Sequence, residues 1–491
     1  MDYRAAWNRG YNVIPVYDRL LHPKCPRMNR IKKLLHLFGM DRAVGFGMMS
    51  RVWALLAGPL TMLLVANRFS PEQQGYYYTF SSLLALQIFF DMGLLFVISQ
   101  FVSHEFVHLS WGGRGVITGE SAALQRFTEL LRKTVRWYAG AALLVLTLLI
   151  PVGLIFLGSK GSAAFSWQLP WVIVALCTAL NLLVTPFFAV IMGSGDVTAA
   201  NMRDLVCSVV SSCLCWIVMF LHGGLYASVA ISLSGVVVSW GYLLLTRPEL
   251  LKLSWRRGED HELGRINSLS WKDEVWPMQW RMAVSSGASY LMFQLFTPLL
   301  FHYQGAVIAG QMGITISAAN ALLGIGLTQL YAKTPLFGKF IALRDWRNLD
   351  RIFYKTLRHS FTLTAIGAVL GAGAIWYLQG ISTFGQRFIP YDQAAILFVT
   401  VCFQVVNSGI AIYLRAHKQE PLVVMTILAS FLQGAATWYL GKNYSSYGVT
   451  LGFFFVTVFY VFPYVLLIWV RFRKLFHPAT IACGEGAESA A

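Results

Sequence analysis

Along the chain, apolar runs close to the roughly 20 residues that carry a helix across a bilayer alternate with polar connections. There are twelve: Ala43–Ala66, Thr79–Phe101, Trp137–Leu157, Leu169–Met192, Leu205–Leu221, Leu225–Thr246, Met282–Phe301, Ala306–Tyr331, Phe361–Leu378, Ala394–Leu414, Leu422–Leu440 and Val449–Val470. Their number and length predict an all-α membrane protein with twelve transmembrane helices. The first 42 residues differ: they are polar and basic, contain Pro15, Pro23 and Pro26, and lack the early apolar core of a cleavable signal peptide.

An even number of spans puts both termini on one side, so the connections fall into two sets. The two tails and the loops after even-numbered spans hold 34 of the 39 Lys and Arg. The other set holds Arg68, Lys160, Arg387 and Lys442, and Arg51 lies inside the first span. Positive charge collects on the cytoplasmic side, so both termini and the long loops are expected there. A net charge of +17 alone fits nucleic acid or an anionic membrane. Sorted by loop it reads as topology, and nucleic acid is not expected as a partner. Charged residues make up only 12% of the chain against about a quarter in a soluble domain, which excludes most soluble enzymes.

The charged loop after the sixth span, with Arg256-Arg257-Gly258-Glu259-Asp260-His261-Glu262, divides the spans into two sets of six. The sets match weakly but repeatedly. Arg51 precedes Gly75 of Gln74-Gly75 by 24 residues, and Arg281 precedes Gly305 of Gln304-Gly305 by 24. Each third span follows a basic amphipathic segment, Leu124, Phe127, Leu130 and Leu131 in one set and Leu349, Ile352, Phe353 and Leu357 in the other, a pattern suited to helices lying at the interface. Six spans return the chain to its starting side, so the repeats are parallel, related by an axis along the membrane normal. The division is a tail over 1–42, a first lobe over 43–246, a linker over 247–280, a second lobe over 281–470 and a tail over 471–491.

Phe69-Ser70-Pro71-Glu72-Gln73-Gln74-Gly75-Tyr76-Tyr77, followed by Phe90-Asp91-Met92-Gly93-Leu94, resembles the opening of Wzx-type polysaccharide exporters. These belong to the multidrug/oligosaccharidyl-lipid/polysaccharide flippase superfamily. Asn407-Ser408-Gly409-Ile410-Ala411-Ile412-Tyr413-Leu414-Arg415-Ala416-His417-Lys418 resembles that family's hinge between spans 10 and 11. The resemblance covers about residues 43–470. It implies a V-shaped, two-lobed bundle that moves an undecaprenyl-diphosphate-linked oligosaccharide between leaflets by alternating access. It also implies work beside polysaccharide polymerases or glycosyltransferases, and a monomer is expected.

Cations and amides inside the spans are the candidate site. An Arg at mid-span costs about 2.5–3.5 kcal/mol, so it faces a cavity, finds a partner or snorkels. Arg51 lies about 10 Å from the inner end of its span, and Asp91 lies near the middle of the next. Arg51 is expected to meet a diphosphate and Asp91 to hold or release it as a coupling and gating group. The alternative is a static Arg–Asp tie. Arg281, Arg203 and Lys333, near the cytoplasmic rim, would guide an anionic headgroup inward or simply anchor their helices. Asn181, Gln294, Asn320 and Asn407 would contact glycan, or hydrogen-bond between helices. Pro59, Pro186, Pro298 and Pro463 interrupt spans and are candidate hinges.

No His-Glu pair has metal-ligand spacing, the cysteines lack flanking ligands, and there is no phosphate-binding GxxxxGK[ST] loop. Neither metal nor cofactor is expected, and the chain does not read as an enzyme. Two other functions stay open. A multidrug or cation antiporter of the same superfamily would need carboxylates lining its first lobe, where Asp91 is the one deep candidate. A polytopic polymerase, ligase or acyltransferase would need a sizeable loop for its chemistry, which the outer side lacks.

Overall fold

A computed structural model of the chain describes residues 42–91, 93–159, 165–255, 270–417 and 421–476, which are nearly all helical. The basic tail before Arg42, linker residues 256–269 and residues 477–491 lie outside the described residues. The first run forms α1 (Arg42–Arg68). The second begins as α2 (Pro71–Leu84), passes through a 3-10 turn at Ala85–Gln87 and a short turn at Ile88–Asp91, and continues as α3 (Leu94–Glu105), bent by 42° from its first part. The bend is at Gly93. Its φ of +65° favours glycine, and a Cβ there would lie 2.7 Å from Met282 Cβ.

A short hairpin that the sequence pattern does not signal follows, β1 (Leu109–Trp111) antiparallel to β2 (Ile117–Gly119), with Trp111 opposite Ile117. Strands of three residues are too brief to show a period-2 alternation. Then come α4 (Ser121–Leu144), a π segment at Val145–Leu149 and α5 (Ile150–Gly158). The first half closes with α6 (Gln168–Gly193), α7 (Val197–Phe220), α8 (Tyr226–Thr246) and the short α9 (Pro248–Trp255).

In the second half a π segment at Trp271–Val275 leads into α10 (Trp276–Phe293), which bends by 46° into α11 (Phe296–Gln304). Next are α12 (Ala306–Ala342), α13 (Trp346–Ile381), α14 (Tyr391–Ala416) and α15 (Val423–Phe455), then a π segment at Val456–Val461 and α16 (Phe462–Phe476). Each π segment ends two residues before a proline, at Pro151, Pro277 and Pro463. A proline has no N–H for the carbonyl four residues back and its ring crowds that carbonyl, so the helix widens by one residue there. Pro59 and Pro186 instead sit inside uninterrupted helices, and Pro298 follows the break between α10 and α11.

All twelve apolar runs fall on helices. Among the described residues nine helices are long and apolar enough to cross a membrane, or eleven if each bent pair counts as one span. The longest, Val423–Lys474, holds two of the predicted runs. Ser445, with φ 58° and ψ −145°, breaks it, and the chain doubles back. A Cβ on Gly448 would meet Leu440 O at 2.2 Å, and one on Gly452 would meet Ala436 Cβ at 3.2 Å. The segments expected to lie at the interface are not separate helices. They continue into the third span of each half as one helix, over Ser121–Gly158 and Trp346–Ile381. A 36-residue helix is about 54 Å long, far more than the ~30 Å hydrocarbon core, so it projects beyond the bilayer. The apolar faces of these segments pack inward, with Phe127, Leu130, Leu131, Leu349 and Phe353 buried.

The packing repeats six spans apart. In the first half α1 packs on α7, α3 on α6, α4 on α6, and α6 on α8. In the second half α10 and α11 pack on α15, α12 on α14, α13 on α14, and α14 on α16. The halves meet through equivalent elements: α2 on α12 makes the largest contact, with α1 on α12 and α10 on the α2–α3 bend beside it.

Candidate functional site

The motif at Phe69–Tyr77 builds the main contact between the halves. Ser70 is an N-cap: its Oγ accepts from Gln73 N–H, Gln73 Oε1 accepts from Ser70 N–H, and Pro71 takes the first helical position, where its missing donor costs nothing. Starting α2 there turns Gln74 and Gly75 toward α12. Gln74 Nε2 donates to Gly310 O at 2.9 Å and to Arg387 O at 3.0 Å. A Cβ on Gly75 would lie 1.9 Å from Ala306 O, and one on Gly313 would lie 2.4 Å from Tyr78 Cβ. Small residues let the two backbones touch, which is how helices associate where no hydrophobic effect drives them together. Arg387, from the connection between α13 and α14, reaches across and donates to Phe69 O at 2.7 Å. Burial lowers its pKa, opposed by Glu72.

Arg51 occupies the α1–α12 contact. Trp53 binds α1 to α7 by donating to Ser208 O at 3.3 Å, and Arg51, two residues earlier, projects about 200° away. Its guanidinium lies over the Tyr331 ring of α12 at 5.1 Å. Arg51 is exposed and has no hydrogen bond or ion pair among the described residues. Such a cation–π contact contributes about 0.5–1 kcal/mol when exposed, so the charge stays available to an anion.

The expected tie between Arg51 and Asp91 is not formed. Asp91 instead accepts a hydrogen bond from Tyr138 of α4. Arg203 lies at the same end of the α1–α7 pair as Arg51, because these helices run parallel with Gly47 beside Asn201 and Thr61 bonded to Trp216. Its guanidinium stacks on Phe188 at 3.8 Å and pairs with Asp204 at 3.3 Å. The Arg281 side chain lies outside the described residues. Lys333 lies on α12 two residues beyond Tyr331, hence about 200° around the helix from the face that meets Arg51, and it lines a recess against α13.

The four amides separate. Asn181 donates to Ser232 O of α8 at 3.2 Å, between helices of one half. Asn407 is buried in α14, with no partner for its Oδ1 among the described residues. Asn320 lines a cavity of about 20 Å³ with Gln404, Phe293 and Phe453, room for about one water. Gln294 is exposed at the break between α10 and α11. Asn181 thus bonds within the first half, and Gln294, Asn320 and Asn407 belong to the second.

Several ion pairs escaped sequence reading. Arg247, at the end of α8, binds Asp196 at 2.6 Å and stacks on Trp111 at 4.0 Å. Arg473, near the end of α16, binds Asp350 at 2.5 Å, and Tyr413 donates to the same carboxylate at 3.0 Å. In both halves, then, an arginine at the end of the sixth span is tied to a carboxylate elsewhere in that half. Arg126 bridges the halves, to Glu105 at 3.1 Å and to Glu274 at 2.9 Å. All involve partners more than 20 residues apart, beyond the reach of local spacing. No three His, Cys, Asp or Glu converge as metal ligands among the described residues.

No protein-family model matches the chain, and no curated protein does. Solved structures do. It aligns with the inward-facing form of a multidrug resistance MATE family transporter of the MOP superfamily at TM-score 0.61 and 13% identity, over 88% of this chain and 98% of that one. With the lipid II flippase MurJ in its inward closed conformation the TM-score is 0.55 at 15% identity, over 89% and 87%. A MOP superfamily transporter from Pyrococcus furiosus, described as having a binding pocket of reversed polarity, gives 0.51 at 14% identity, over 90% and 97%. The chain therefore has the multi-pass helical fold of the MOP-superfamily transporters.

Proposed function

We propose that the chain is a flippase for an anionic polyprenyl-diphosphate-linked oligosaccharide, moved from the cytoplasmic to the outer leaflet of a bacterial inner membrane. The lobes at 43–246 and 281–470 alternate access about the α2–α12 contact, driven by an ion gradient, with both termini cytoplasmic. The observation that carries this reading is Arg51: an exposed arginine inside an apolar span, between the halves, with an aromatic ring as its partner among the described residues. An unpaired cation at that depth is costly unless an anion visits it. Arg203 lies at the same end, stacked on Phe188 and paired with Asp204. Asp91, the one carboxylate deep in the first lobe, is held by Tyr138, which leaves Arg51 uncompensated and suits an anionic cargo better than a cationic one. Likeness to a lipid II flippase is consistent with lipid-linked cargo, though at 15% identity it speaks only for fold.

Deletion followed by analysis of lipid-linked intermediates tests the reading. A flippase predicts complete units accumulating on the cytoplasmic leaflet and loss of surface polysaccharide. Truncated units would replace it with a lipid-glycan enzyme. Normal polysaccharide with lost cation efflux would replace it with an antiporter.

A further inference from the structure

Lys333 belongs to a different place from Arg51, and what surrounds it is specific. Between α12 and α13 lies a recess of about 470 Å³, within the range of small-molecule sites. Lys333, Lys355 and His359 reach it, over a floor that includes Ala332, Leu336 and Ile352. On α12 the spacing 332, 333, 336 and on α13 the spacing 352, 355, 359 put each set on one helical face. All three basic side chains are exposed, and none has an ion pair or hydrogen bond among the described residues. The carboxylate nearest in sequence to Lys355 and His359, Asp350, is taken by Arg473 and Tyr413.

Depth identifies the occupant. The apolar run of α12 ends at Tyr331, two residues before Lys333, and that of α13 begins at Phe361, two residues after His359. The recess therefore sits where hydrocarbon gives way to headgroups. Apolar floor, unpaired cations and headgroup depth together match a phosphate-bearing lipid, and basic pockets between transmembrane helices hold such headgroups. We infer that this recess binds the phosphate headgroup of a resident anionic phospholipid, with Lys333 and Lys355 on the phosphate and His359 at its edge. The site is separate from the contact at Arg51, and its failure would leave the cargo proposal standing.

The test is native mass spectrometry of the purified full-length protein, delipidated and then titrated with phosphatidylglycerol or with phosphatidylcholine of the same acyl chains. Wild type is expected to retain phosphatidylglycerol preferentially. Each lysine near a membrane surface contributes enough for about a 5-fold effect, so K333Q/K355Q should lose on the order of 30-fold. K333R/K355R should keep the preference, which separates lost charge from lost folding. Arg51→Ala should leave it unchanged. Equal retention of the two lipids, full retention by K333Q/K355Q, or equal loss in Arg51→Ala would overturn the assignment. Displacement of the lipid by millimolar inorganic diphosphate would also overturn it, by showing a site for free phosphate.

Discussion

The two contacts that α12 makes with the first half differ in kind. Against α2 it is closed at small residues, Gly75 on Ala306 and Gly313 on Tyr78, with Gln74 on Gly310 O, and Arg387 from the α13–α14 connection reinforces it on Phe69 O. Against α1, the interaction at Arg51 is one guanidinium over one ring at 5.1 Å. At Gly75 and Gly313 the first contact has no room even for a Cβ, and the Gln74 amide N–H and the Arg387 guanidinium are spent on carbonyls. The second leaves a positive charge unused. Helices that touch at glycine set a fixed crossing, whereas a cation–π contact of about 1 kcal/mol or less yields when a phosphate offers more. The difference teaches that the motif resembling Wzx exporters builds the joint between the halves, while the candidate cargo contact lies outside it, on α1.

Disturbing the joint should have the largest effect. Gly75→Leu forces a side chain into Ala306 O and is expected to destabilise the protein by more than about 3 kcal/mol, the upper part of the range for overpacking, read as a lower midpoint of thermal unfolding in detergent. Arg473→Met sharpens the contrast between spent and unspent cations. It leaves the carboxylate of Asp350 with Tyr413 as its partner among the described residues, and should cost about 2 kcal/mol, below the 3–5 of a fully buried pair because Arg473 is 29% exposed. Arg387→Ala removes a charge-assisted bond across the joint. About 1 kcal/mol is expected, on a half-buried group, with faster cysteine crosslinking changes between α2 and α12 if the joint loosens. The smallest effect on stability is expected from Arg51→Ala, no more than about 0.5–1 kcal/mol, since among the described residues the ring contact is what is lost.

Much of the fold was legible because apolar runs of bilayer length leave a helix little alternative. The short β1–β2 hairpin, the π segments and the reversal at Ser445 were not, since each turns on a few residues within or between longer patterns. The prolines at 151, 277 and 463 could have marked the π segments, but nothing in a single sequence tells a tolerated proline such as Pro186 from one that widens a helix. For the site, an arginine inside an apolar span was signal enough to single out Arg51. Its expected partner was wrong in geometry: Asp91 turns to Tyr138, 47 residues on, across a contact no spacing rule addresses. Arg387, counted by sequence among the few outer cations that say only how the chain is oriented, proves to be part of the joint. Lys333 was grouped with Arg51 by charge, and the helical angle between positions 331 and 333 separates them.

The central claim, that Arg51 is reserved for an anionic lipid-linked cargo, is tested most directly with the purified protein in proteoliposomes, by following transfer of a polyprenyl-diphosphate-linked oligosaccharide between leaflets. Arg51→Ala should abolish transfer while the unfolding midpoint stays within error of wild type, and Arg51→Lys should restore part of it. Transfer at the wild-type rate by a stably folded Arg51→Ala protein would contradict the claim.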